Sequence, residues 1–151
     1  MKIHIQVEGL KALQDKLKTQ ADKLANLQEF WHIIGEYMKK RTIKECFDKE
    51  QAPDGTKWKP LSQSRVKQRM KRHKTGNMKI LQDTGELRRS VKYRAFDKYL
   101  IIGSNLKYSR VHQFGGGKNN IPARPFLGVT EQDKQHIIKT FEAFINKHNV
   151  Q

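Results

Sequence analysis

The sequence predicts an α+β domain: a small antiparallel sheet packed by a long N-terminal helical region and a C-terminal helix. Three observations carry this prediction. Ile3, Ile5 and Val7 alternate with Lys2, His4 and Gln6, the period of a half-buried strand. Leu10, Leu17, Leu24, Trp31 and Met38 then recur every seven residues, the period of a helix. Val91, Tyr93 and Ala95 alternate with Lys92, Arg94 and Phe96, and "YLIIGSN" follows after only Asp97 and Lys98, the spacing of a tight hairpin. With 151 residues the chain has material for one core, so residues 1–151 are read as a single domain.

Gly9 ends the first strand pattern, and the helical period runs to about Phe47, as one long helix or as two broken near Asn26. Leu13, Leu27 and Ile34 fill most of a second seam, whereas Gln20 and Arg41 interrupt it. "QAPDGTKWKPL" (residues 51–61) stops the helix at Pro53, places a turn at Pro-Asp-Gly, and offers Trp58 and Leu61 to pin the loop to the core. Ser62 caps a short basic helix whose apolar stripe, Val66 and Met70, is thin. Residues 62–79 therefore read as a loosely held basic insertion.

Asp83 and Glu86 are spaced as a capping box, with Leu81 and Leu87 turned inward. After the hairpin, "YSRVHQFGG" reads as a short helix ended by glycine. "IPARPFLG" (121–128) cannot be helical: Ile121 and Arg124 each precede a proline, which leaves an edge strand or an extended arm. Thr130 and Asp133 then cap a C-terminal helix with Ile137, Ile138, Phe141, Phe144 and Ile145 on one face.

The formal net charge is +16, unevenly spread. Residues 55–82 carry nine basic and no acidic side chains, and residues 98–130 five and none, so fourteen of the sixteen excess charges lie in two blocks. Such blocks fit either solvated loops or a surface facing a polyanion. Arg65, Lys67, Arg69, Lys71, Arg72 and Lys74 are the candidates for contact with a DNA backbone, without sequence reading.

Reactive chemistry finds little support. The six histidines form no pair at metal-ligand spacing, so no metal or cofactor is expected. Gly115, Gly116 and Gly117 before Lys118 lack the Ser/Thr and the feeding strand of a phosphate loop. His112 has no acid in its own block to orient it as a base. Cys46, the only cysteine, reads as a buried thiol in a reducing compartment. No apolar run of signal or membrane length appears, so a soluble protein is expected.

Four landmarks stand in one order: "PDGTKWKPL" (53–61), "ILQDTGELRRSV" (80–91), "IIGSNLKYSRVHQFGG" (101–116) and "IPARPFLG" (121–128). Together they resemble the phage virion morphogenesis, or tail completion, family of Mu-like phages and prophages. Its habits are a Pro-Asp-Gly…Trp…Pro-Leu loop, a Leu…Thr-Gly-x-Leu turn, a Tyr-x-x-x-His-Gln-x-Gly segment and a closing Arg-Pro-Phe-Leu. The stretch "QRMKRHKTGNMK" (68–79) departs from that pattern.

The resemblance implies a non-enzymatic structural protein that finishes the tail or neck, a homo-oligomeric ring, often of six, assembled in the host cytoplasm into the virion. Its partners would be further copies and tail-tube or neck proteins. Trp58, Leu61, Gly85, Leu87, Tyr108, His112, Gln113, Gly115, Arg124, Pro125 and Phe126 are then the candidates for shaping loops and interfaces. The alternative is a non-sequence-specific DNA-binding protein using the basic segment 57–79.

Overall fold

A computed structural model describes residues 2–5, 27–72, 78–117 and 119–148. Its elements are β1 (Lys2–Ile5), α1 (Gln28–Arg41), α2 (Gln63–Arg72), α3 (Glu86–Ser90), β2 (Lys92–Ala95), β3 (Leu100–Gly103), α4 (Ser109–Phe114) and α5 (Glu131–His148). The three strands form one antiparallel sheet in the order β1-β3-β2. This is the expected α+β architecture.

The hairpin follows from local chemistry. Val91, Ala95, Leu100 and Ile102 are buried, and the Phe96 amide donates to the Tyr99 carbonyl at 2.9 Å, closing the Asp97-Lys98 turn. That alternation places every second side chain under α1, which packs on β2, β3 and α5. From α1 come Phe30, Trp31, Ile34 and Met38, and from α5 come Ile137, Phe141, Phe144 and Ile145; Phe30 meets Phe141 edge-on at 5.1 Å. Gly35 lets the helix approach the sheet, since a Cβ there would fall 2.2 Å from the Tyr93 ring.

The N-terminal helical pattern is present from Gln28 onward; its earlier part, Leu10 to Asn26, lies outside the described residues. Beyond Arg41 the chain widens into a π-helical turn, Thr42–Phe47, with the Asp48 amide reaching back five residues to the Ile43 carbonyl. Arg41, the charged interruption of the seam, has its side chain largely enclosed, 10% exposed. It stands 3.0 Å from the Asp133 carboxylate and donates to the Gly128 and Pro53 carbonyls. Tyr37 donates to the other Asp133 oxygen at 2.9 Å. Burial and this bond push the Tyr37 hydroxyl up to about 12.

Asp133 also performs the capping role read from sequence. It accepts from the Thr130 amide and hydroxyl, while its own amide donates to Thr130 Oγ1.

One expectation needs correction. Asp83 does not cap α3: Gly85 occupies the N-cap with φ +72°, and Asp83 instead pairs with Arg69 and Arg72 of α2. On α2, Met70 faces outward. It is 61% exposed, and the residue turned inward is Arg69, bonded to the Lys79 carbonyl at 2.8 Å. The arm at 121–128 is extended but joins no sheet, since its prolines cannot donate to a ladder; a single bridge links Gly116 and Ile121.

Candidate assembly surface

The most conspicuous sequence landmarks converge on one another. In the 51–61 loop Asp54 accepts from the Thr56 amide and Gly55 takes φ +89°, so the chain reverses at Pro-Asp-Gly. The reversal carries Trp58 inward, where its indole N–H donates to the Pro125 carbonyl at 2.8 Å and its ring meets Phe47 edge-on. The Lys59 and Pro60 carbonyls belong to no strand. Arg124 satisfies both, Nε to Lys59 at 2.8 Å and Nη2 to Pro60 at 2.9 Å.

Gln113 of α4 completes the clasp. Its Oε1 accepts from the Phe126 and Leu127 amides, each at 3.1 Å, and its Nε2 donates to the Leu127 carbonyl at 2.7 Å. One buried amide thereby replaces the hydrogen bonds of a missing strand. Gly115 ends α4 at φ +77°, where a Cβ would fall 2.8 Å from the Ala123 nitrogen. That close approach lets the Arg124 amide reach the His112 carbonyl at 2.7 Å.

Among the candidates for shaping loops and interfaces, Arg124, Pro125 and Phe126 are engaged by the chain's own loop and core. Arg124 is 6% exposed and Phe126 wholly buried against Phe47, so the chain itself receives them. Leu61 packs on the core and Leu87 lies within it. Of the remaining candidates, Gly85 starts α3, while Tyr108 is at the surface with its hydroxyl near Glu86.

His112 lies half-buried beside this clasp, edge-on to the Tyr108 ring. Its Nδ1 has no hydrogen-bond partner among the described residues. Burial, then the charges of Arg124 and Arg65, hold its pKa below 6.5. Such an imidazole is neutral at pH 7. Cations and an aromatic ring surround it, rather than the orienting carboxylate that base catalysis would use.

The basic residues divide. Arg69 belongs to the interior, and burial lowers its pKa from the usual guanidinium range despite Asp83. Arg72 is half-exposed but shares Asp83 at 3.1 Å. Arg65 reaches Gln68, Lys67 and Lys71 are exposed, and Lys74 lies outside the described residues. The two acid-free blocks meet here: Arg124 grips Lys59 and Pro60, and its charge acts on Arg69's neighbourhood while Arg65 acts on His112. Their charge thus lies on joined segments of the surface.

Sequence reasoning missed three features. Gln113 appeared as a candidate but not as the bracket for the arm, because its partners lie 13 and 14 residues away. The Tyr37–Asp133–Arg41 network had one visible signal, the arginine on an apolar seam. Phe114, inside a landmark, is 63% exposed.

Comparison with known proteins gives a consistent result. A model described as the phage virion morphogenesis family matches residues 8–146. The chain is 39% identical over 92 residues to the Mu-like prophage FluMu G protein 1 of Haemophilus influenzae, covering 60% of each chain. It is 31% identical over 103 residues to the putative capsid assembly protein G of Escherichia phage Mu, covering 64% of this chain and 65% of that one. With the tail completion protein S of Escherichia phage P2 the identity is 33% over 113 residues, 65% of this chain and 71% of that one. The match spans 60% and 50% of the lengths of two FluMu G proteins. No solved structure matches the chain.

Proposed function

The chain belongs to the phage virion morphogenesis family and has a structural role in phage, and we propose that it completes the tail or joins it to the head as a homo-oligomeric ring without enzymatic activity. The observation that carries this reading is the fate of the landmarks. Trp58, Gln113, Arg124 and Phe126 are used up in holding a loop, a helix and an arm together, and bring no reactive groups into one place. A scaffold of that kind presents surfaces to neighbours. The names of two relatives, one of capsid assembly and one of tail completion, also fit a piece that sits where head meets tail.

Its partners are further copies of the chain and the tail-tube or neck proteins, and its place is the virion, after synthesis in the host cytoplasm. The test is complementation of a phage lacking this gene, scored by electron microscopy, with light scattering on the pure protein. Restored joining of tails to heads and a closed oligomer are expected; a strict monomer, alone and with tail proteins, would remove the ring.

A second reading rests on the joined acid-free blocks: Lys67, Lys71 and Arg65 contact the phosphate backbone of DNA passing the junction. Duplex DNA binding that weakens with salt is expected, and salt-independent binding would count against it.

A further inference from the structure

We infer that neighbouring copies of the chain meet head to tail, with Phe114 and Arg110 of α4 on one copy seated against Glu29, Ile33 and Glu36 of α1 on the next. This rests on the ring reading and names its contact surface.

Two exposed apolar residues on different elements suit that contact. Phe114 has the largest exposure of the large apolar side chains among the described residues, and Ile33 is 44% exposed. Arg110 and Phe114 stand four apart on α4, with exposed Lys107 just before the helix. Glu29, Ile33 and Glu36 stand at the i, i+4 and i+7 positions of α1, all exposed. Neither Arg110 nor either glutamate is in an ion pair among the described residues. Each surface therefore has an apolar centre and a charged rim, and the rims are opposite in sign.

The charge distribution of the whole chain favours a second copy as the occupant. Residues 98–130 have no acid, whereas residues 1–54 carry nine beside ten basic side chains, with Glu29 and Glu36 exposed on α1. The acid that complements α4 is thus on the same molecule, at a different surface: α1 packs on the sheet and α5, while α4 is bracketed by the arm. Two different surfaces joined between copies make a heterologous contact, which closes into a ring when the rotation per copy divides a full turn. Both surfaces are also held firmly. α4 is fixed through Gln113, and α1 through its core face, so little ordering cost accompanies the contact.

Disulfide trapping tests it, since Cys46 is buried and the chain has no other cysteine. Full-length Phe114→Cys and Ile33→Cys proteins, mixed and oxidised, are expected to give a cross-linked pair that neither gives alone. In sedimentation, Arg110→Glu and Glu29→Arg should each weaken self-association by about tenfold, and the two reversals together should restore part of it. Circular dichroism melts check that each variant is folded.

A wild type that associates while all four variants leave association unchanged and the cysteines fail to cross-link would overturn this contact and leave the ring intact. Phe114→Cys pairing with itself as readily as with Ile33→Cys would overturn the head-to-tail arrangement. A wild type that stays monomeric at every concentration, with no trapped pair, would overturn the contact and the ring together.

Discussion

The clasp and the basic helix are neighbours built on opposite logic. In the clasp, Trp58, Gln113 and Arg124 spend their polar groups on backbone carbonyls and amides, and Phe126 disappears into the core. In α2 a single inward arginine, Arg69, ties the helix to Asp83 and Lys79, Arg72 shares Asp83 from the surface, Arg65 reaches Gln68, and Lys67 and Lys71 are exposed. The difference teaches where to look for contact with other molecules. Prolines and glycines draw attention because the backbone needs them, whereas a surface available to a partner is made of residues that the fold does not use.

The largest expected effect sharpens this contrast within one residue type. Phe126→Ala removes a fully buried ring beside Phe47 and should cost about 3–5 kcal/mol in denaturant melts. Phe114→Ala should change stability by no more than about 0.5 kcal/mol. Equal losses for both would break the distinction between clasp and surface.

Gln113→Ala comes next. It strands two buried amides and a carbonyl, and should cost about 3 kcal/mol, with faster proteolysis between residues 115 and 128. Arg69→Ala should cost about 2 kcal/mol, less than a fully buried pair would lose, because Asp83 is partly solvated and keeps Arg72. Amide exchange in 63–72 should rise selectively; protection that stays unchanged would show α2 to be held by something other than Arg69.

His112 gives a smaller effect with a definite sign. Its folded pKa lies below 6.5, so the unfolded chain binds the proton more readily, and stability falls as pH drops from about 6.5 toward the folded value. His112→Gln should flatten that limb of a melting-temperature profile and leave the profile above pH 7 in place. Least of all on stability, Lys67→Ala and Lys71→Ala should melt as the parent does, while each lowers the salt slope of duplex DNA binding by about one. A slope that does not move would remove α2 from any DNA contact.

Legibility tracked distance along the chain. The hairpin could be read because Val91 to Asn105 contains both its alternations and its turn, and the Thr130–Asp133 box because donor and acceptor are three residues apart. Asp83 shows the limit. Its spacing to Glu86 matches a capping box, but two arginines eleven and fourteen residues earlier offered charge-assisted bonds, and those won over a neutral amide. Arg69 is the other side of the same limit: its carboxylate partner lies fourteen residues further on, so nothing within α2 marks it as the inward residue.

What the sequence determined by itself is what short range can decide: strand and helix periods, the turn at Pro-Asp-Gly, the extended backbone around two prolines, and the order of landmarks that identifies the family. Only the tertiary structure decided which side of the surface each landmark falls on. Arg124 would be equally content beside a partner's carboxylate or its own chain's carbonyls. It is the folding of 51–61 against 121–128 that brings Lys59 and Pro60 within 3 Å, and a buried guanidinium that lacks acceptors costs too much to leave unmet.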